Sequence, residues 1–283
     1  MQRFQRPDQM LGWSRQQRCA GRTVAFVPTM GALHAGHLSL VDLATAAAEC
    51  TAVSIYVNPT QFGPLEDFEQ YPRDLDRDLE LLYATGTDAV FIPDTGDLYP
   101  EGCTTWVVEE VLSERLEGAS RPGHFRGVVT VVSKLLQIVE PDFLVLGQKD
   151  AQQVAVLRRL IYDLKYPVQL IVAPIIREPD GIALSSRNAY LSGEERKQAA
   201  SLYESLCIAR AMVEEGEEDP AAVMEAMRQR IEIEPSARID YIAAVHPDTF
   251  EPLDSLSGTS LLCLAVFVGD TRLIDNEIVS RKD

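Results

Sequence analysis

The sequence predicts an α/β fold: a parallel sheet with helices on both faces, followed by a smaller α+β domain. Three observations predict it. Short, almost wholly apolar runs alternate with segments of helical spacing through the first part of the chain, which is the pattern of β–α–β units. Those runs carry few polar residues, as strands buried on both faces do. Near the end, three strand-like runs follow one another without intervening helices, which suits an antiparallel sheet.

Residues 23–27 form the first apolar run, ending in Pro28-Thr29. A helix is expected over residues 36–49, with Leu40, Leu43, Ala44 and Ala47 on one face. Residues 51–57 form the next strand and stop at Asn58-Pro59. An acidic amphipathic helix follows over residues 73–85, closed by Gly86, and residues 88–92 form a third strand. Helical spacing returns at Val128, Val131, Val132, Leu135 and Val139. Residues 143–146 form a buried strand, Val154, Leu157, Ile161 and Leu164 mark a helix, and residues 168–172 form a strand. The whole reads as a Rossmann-like, doubly wound parallel sheet over residues 1–177.

The pattern changes beyond Ile176. Ser192-Gly-Glu-Glu195 is the signature of a capping box. A helix continues from it through Leu202, Leu206, Ala209 and Val213, and after an acidic turn a second helix runs to Ile233. Residues 238–245, 260–268 and 271–279 then give three strands. Residues 178–283 are thus expected to form an α+β domain with a three-stranded antiparallel sheet, acting as a lid.

Composition sets outer bounds. The chain has 283 residues and 46% apolar residues, enough for a sizeable core. It has no apolar run of membrane-spanning length, and its first residues are polar, so neither a membrane span nor a leader is expected. The cysteines Cys19, Cys50, Cys103, Cys207 and Cys263 are scattered and include no Cys-x-x-Cys. Reduced thiols and a cytoplasmic location follow as expectations. The formal net charge of −17 argues against nucleic acid as a partner. It also means that any anionic substrate must be held by a few well-placed cations.

Four segments carry chemistry. Pro28-Thr-Met-Gly-Ala-Leu-His-Ala-Gly-His37 joins the first strand to the first helix. A helix N-terminus at a strand's carboxyl end is a natural phosphate site. His34 and His37 can both face a ligand there and donate to a phosphate as it gains charge. A zinc reading lacks further ligands nearby. Asn58-Pro-Thr-Gln-Phe62 follows the second strand, and the Gln61 amide both donates and accepts, which suits a hydroxy acid. Gly147-Gln-Lys-Asp150 lies between a buried strand and a helix. Lys149 can reach phosphate oxygens, Asp150 can cap the helix, and Gln152 and Gln153 follow on the first turn, where one of them can point into the cleft. Ala183-Leu-Ser-Ser-Arg-Asn188 offers two hydroxyls and a guanidinium in a loop able to close over phosphates. Arg121-Pro-Gly-His-Phe-Arg126 adds two more guanidinium groups, while His246 at a strand end reads as structural.

These segments, in this order and spacing, resemble the pantoate–β-alanine ligase family over nearly the whole chain, most strongly from Val27 to Arg187. His34-Ala-Gly-His37 also looks like the signature of the wider nucleotidyltransferase and class I aminoacyl-tRNA synthetase superfamily. The resemblance implies ATP as substrate, Mg2+, a pantoyl-adenylate intermediate, β-alanine as the accepting amine, and a homodimer. It implies ATP contacts from Met30, Gly31, Ala32, Leu33, His34, Ala35, Gly36 and His37, and from Gly147, Gln148, Lys149 and Asp150. Ile176 would lie against adenine, and Leu184, Ser185, Ser186 and Arg187 would grip the outer phosphates. His34, His37 and Lys149 would be catalytic. Gln61 and Gln153 would hold pantoate, and Asn58, Tyr71 and Arg121 match further substrate positions. Gln148 departs from the glutamate of many members. The match around Asp74, Asp76 and Asp78 is partial, so no protein ligand for the metal is assigned.

The alternatives are another nucleotidyltransferase, a class I tRNA synthetase, and a nucleotide sensor without turnover. The chain is short and acidic for a tRNA synthetase and lacks a recognisable anticodon-binding module. Separate phosphate and hydroxy-acid groups argue against a sensor.

Overall fold

The computed structural model describes residues 1–64 and 66–281. The chain divides into two compact units: residues 1–147 with 156–174, and residues 148–155 with 175–281 among those described.

The first unit is built on a six-stranded sheet: β1 (Gln2–Phe4), β2 (Val24–Thr29), β3 (Cys50–Ile55), β4 (Ala89–Phe91), β5 (Phe143–Gly147) and β6 (Gln169–Ala173). All pairings are parallel, and the order is β1-β4-β3-β2-β5-β6. The chain reverses its direction of travel across the sheet between β2 and β5. Helices α2 (Ala35–Ala47) and α3 (Leu75–Ala84) cover one face. Val41, Ala44, Leu79 and Leu82 pack there on Ala25, Val27, Val53, Val90 and Val145. The intervening strand residues Val24, Phe26, Ala52 and Leu144 are equally buried, because α1 (Pro7–Cys19) and α4 (His124–Val139) pack on the other face. This two-faced burial is why the strands read as unbroken apolar runs.

Several elements differ from the sequence expectation. β1 and α1 were not foreseen. The buried residues of α1 are Met10, Trp13, Ser14 and Gln17, which is helical spacing, but half of them are polar. An apolar pattern search passes over such a helix. β2 also continues beyond Val27 through Pro28. Its pairing with β5 covers only Ala25 and Phe26, so Pro28 sits where the two strands have parted.

Helix α5 (Ala151–Leu164) begins in the second unit and ends in the first. The second unit holds α6 (Gly193–Glu214), α7 (Pro220–Glu232) and an antiparallel sheet of β7 (Ala237–Val245), β8 (Ser260–Val268) and β9 (Thr271–Val279). Leu202, Leu206, Val223, Met227 and Ile231 pack on Leu262, Leu264 and Val266. The expected capping box forms: Ser192 Oγ accepts from Glu195 N, and the Glu195 carboxylate accepts from Ser192 N at 2.8 Å.

Candidate active site

In an open parallel sheet, ligands bind beyond the carboxyl ends of the strands where the winding reverses. Here that is the end of β2 and β5. The chain leaving β2 is folded back tightly. Gly31 has φ +79°, and a Cβ there would lie 2.9 Å from Asp78 Oδ2. The next residue, Ala32, also has positive φ (50°). The Asp78 carboxylate on α3 holds this turn: Oδ2 accepts from Ala32 N at 2.9 Å and Oδ1 from Leu33 N at 2.7 Å. Asp78 is buried, and burial pushes its pKa up despite the two N–H donors. The sequence singled out Asp78 only as a partial match to a metal-associated acid. Its carboxylate instead shapes the turn that carries the histidines, and Asp74 accepts from Arg77 N as the cap of α3.

His34 and His37 cap α2 reciprocally. His34 Nδ1 accepts from Gly36 N at 3.2 Å, and His37 Nδ1 accepts from His34 N at 3.4 Å. The rings lie 4.1 Å apart between centroids. Because each Nδ1 accepts a hydrogen bond, each ring in its neutral form carries its proton on Nε2. The capping bonds therefore leave both rings in the tautomer that donates from the far nitrogen, at the positive end of a helix.

The second segment meets this turn. Asn58, buried, donates from Nδ2 to Gln61 Oε1 at 3.1 Å and to Gly127 O at 3.2 Å. Gln61 Nε2 then points at Met30 Sδ, 3.0 Å away. Thioether sulfur is a weak acceptor, so this N–H gains by turning to a better one. Gln61 is thus oriented as a donor. Gly127 lets α4 approach closely, since a Cβ would lie 2.4 Å from Thr60 O.

Arg121 belongs to the same cluster, but its guanidinium is already engaged. It pairs with both oxygens of Glu66, at 2.9 Å from Nε, and contacts His124 Nε2 at 3.2 Å. His124 Nδ1 lies 2.8 Å from Gln61 O. Burial, then the adjacent Arg121 charge, hold the His124 pKa down to about 4. The neutral ring accepts from Arg121 and donates to Gln61, and so fixes the Gln61 backbone. Tyr71 is buried edge-on to Phe62. Arg126 instead stacks over Trp106, 4.2 Å from its centroid. His246 Nδ1 accepts from Asp248 N and Thr249 N, the structural role expected of it.

The remaining candidates lie in the second unit, apart from Gly147 at the end of β5. Lys149 Nζ is 3.5 Å from Asp150 Oδ1. The turn bearing them is fastened by Asn276 of β9, a residue the sequence reading missed. Its Nδ2 donates to Gln148 O at 3.0 Å and Lys149 O at 2.9 Å, while its Oδ1 accepts from Gln148 Nε2 at 3.0 Å. Ile176 O accepts from Leu184 N at 2.9 Å, which sets the start of the serine segment. Ser185 caps a 3-10 helix (Ser186–Tyr190) by accepting from Arg187 N at 3.3 Å. Asn188 ties that helix to Glu178 Oε1 and Ala183 O. Gln153 is half-buried on the first turn of α5.

The fold and these turns define a class: a doubly wound α/β protein with glycine- and histidine-bearing turns beyond the carboxyl ends of its strands. A family model described as pantoate-beta-alanine ligase matches residues 2–278. The pantothenate synthetase of Acetivibrio thermocellus is 52% identical over 265 residues, 94% of each chain. That of Thermosipho africanus is 50% identical over 279 residues, 99% of this chain and 100% of its own. Among solved structures, pantothenate synthetase from Thermus thermophilus superposes with a TM-score of 0.94 at 42% identity, covering 99% of this chain and 100% of that one. The pantoate-beta-alanine ligase of Francisella tularensis, solved with beta-gamma ATP and beta-alanine, gives 0.82 at 34% identity, covering 98% and 97%. This chain belongs to the pantoate–β-alanine ligase family.

Proposed function

We propose that the turns described above carry the family's two half-reactions in this chain. The chain joins (R)-pantoate to β-alanine with consumption of ATP, making pantothenate, AMP and pyrophosphate. In the first step a pantoate carboxylate oxygen attacks the α-phosphorus and the bond to pyrophosphate breaks. The pantoyl adenylate so formed has a good leaving group where the free carboxylate had none. In the second step the β-alanine amine attacks the acyl carbon, and AMP leaves.

The observation that carries the residue assignment is the reciprocal capping of His34 and His37. It fixes two Nε2–H donors at a helix N-terminus, where charge building on the α-phosphate is best stabilised. Met30–His37 and Gly147–Asp150 would contact the nucleotide, with Lys149 on the phosphates and Asp150 near the ribose. Ile176 would meet adenine through its backbone. Leu184, Ser185, Ser186 and Arg187 would hold the β- and γ-phosphates, the second unit serving as the lid. Gln61, donating from Nε2, and Gln153 would hold the pantoate hydroxyl and carboxylate, with Asn58 and Tyr71 shaping that pocket. Arg121 would exchange Glu66 for a substrate carboxylate. Mg2+ would arrive on the ATP phosphates, where it neutralises charge and keeps part of its water shell. We also assign a cytoplasmic homodimer. The five cysteines are all unpaired thiols, which suits a reducing compartment, and a solution mass of twice the chain would establish the dimer.

The test is product analysis with ATP and candidate acids. AMP release that requires both pantoate and β-alanine supports the ligase. Nucleotide retained in a stable product would instead favour a nucleotidyltransferase.

A further inference from the structure

Asn276 occupies an unusual place in its strand. Along β9, Leu273 and Val279 face the apolar core of the second unit. Asn276 has the opposite parity, shared with Ile274, half-buried, and Ile278, 50% exposed. On that outer face Asn276 is nevertheless only 2% exposed, because the Gln148–Asp150 turn covers it. Its amide is fully used, with both protons on successive carbonyls of the turn and its oxygen on the Gln148 side chain.

Asn276 is itself held. Asn276 N donates to Asp275 Oδ1 at 2.8 Å. Asp275, also buried, forms a bidentate pair with Arg177 at 2.5 and 3.0 Å. The Arg177 guanidinium lies 3.9 Å over the Tyr203 ring on α6. A buried charge pair of this kind is stiff, because breaking it strands a charge. The chain of contacts therefore runs from α6 through Arg177, Asp275 and Asn276 to the backbone on either side of the Lys149 side chain.

We infer that Asn276 is a positioning residue for Lys149, fixing the backbone of the Gln148–Asp150 turn so that the ammonium group is aimed without help from substrate. The inference rests on reading Lys149 as a phosphate-binding group. A lysine has a long flexible stem, and what its anchor fixes decides how much freedom is lost when it engages phosphate.

The test uses the full-length chain with Asn276→Leu, Asn276→Asp, Lys149→Ala and Asn276→Leu/Lys149→Ala, measuring single-turnover adenylate formation and thermal midpoints. Asn276→Leu removes both donors at similar volume. Asn276→Asp keeps the shape but sets an acceptor against two carbonyls, so it remains informative if the leucine variant folds poorly. Each is expected to slow adenylation roughly 10- to 100-fold, the scale of a misplaced catalytic group, while the KM for β-alanine stays within about twofold. In the Lys149→Ala background, Asn276→Leu should cost little more, since coupled residues are not additive. Losses that multiply in the double variant would make Asn276 merely structural and overturn the inference, as would full adenylation rates in both single Asn276 variants. A fully active Lys149→Ala would overturn the reading of Lys149 itself, whatever the Asn276 variants do.

Discussion

At the scale of single residues, the site is arranged through choices of donor and acceptor. The two histidines use Nδ1 for capping, which places the proton of each neutral ring on Nε2, the nitrogen proposed to meet the α-phosphate. His37→Ala should therefore slow adenylate formation by on the order of 10²–10³ while changing ATP affinity far less. Single-turnover kinetics with an equilibrium ATP titration measures both, and an unchanged rate would remove His37 from the chemistry. Gln61 is held by Asn58 with its Nε2 on a weak sulfur acceptor. Gln61→Ala should chiefly raise the KM for pantoate. If only the ATP requirement moved, the acid pocket would lie elsewhere.

At the scale of elements, the site depends on close approach of backbones. Helix α4 rests on the Pro59–Gln61 turn because Gly127 has no Cβ. Gly127→Ala would place a methyl group 2.4 Å from Thr60 O, closer than backbone can tolerate. Overpacking of this kind typically costs about 1–3 kcal/mol. Since the same contact carries the Asn58 bond to Gly127 O, denaturant melts and the KM for pantoate should worsen together. A variant as stable as the parent with an altered KM would show that the helix moves without strain.

At the scale of the whole molecule, acid stability reports on His124. Its pKa is lowered from the ordinary 6.5 to about 4 in the folded chain. The unfolded chain therefore binds a proton between those values that the folded chain refuses. The contribution is fully present above pH 6.5 and is lost as pH falls toward 4. His124→Asn, which can still donate to Gln61 O, should flatten the fall of the thermal midpoint across that window. An equally steep fall in the variant would place the acid sensitivity on other groups.

The fold class was legible because the strands are buried on both faces, and such burial writes itself into sequence as unbroken apolar runs. The histidine turn was legible because glycine and histidine sit between a strand and a helix. α1 was not, because Ser14 and Gln17 share its buried face. By itself the sequence determined the parallel sheet, the capping box at Ser192 and the segments that carry polar chemistry. Only the tertiary structure decided which partner each polar group holds: Asp78 the turn of Ala32 and Leu33, Glu66 the guanidinium of Arg121, and Asn276 the carbonyls beside Lys149. The physical reason is distance along the chain. Periodicity and capping are local and leave a mark within a few residues, whereas these hydrogen bonds join residues separated by 45 or more positions, and no local pattern records which partner a buried polar side chain will find.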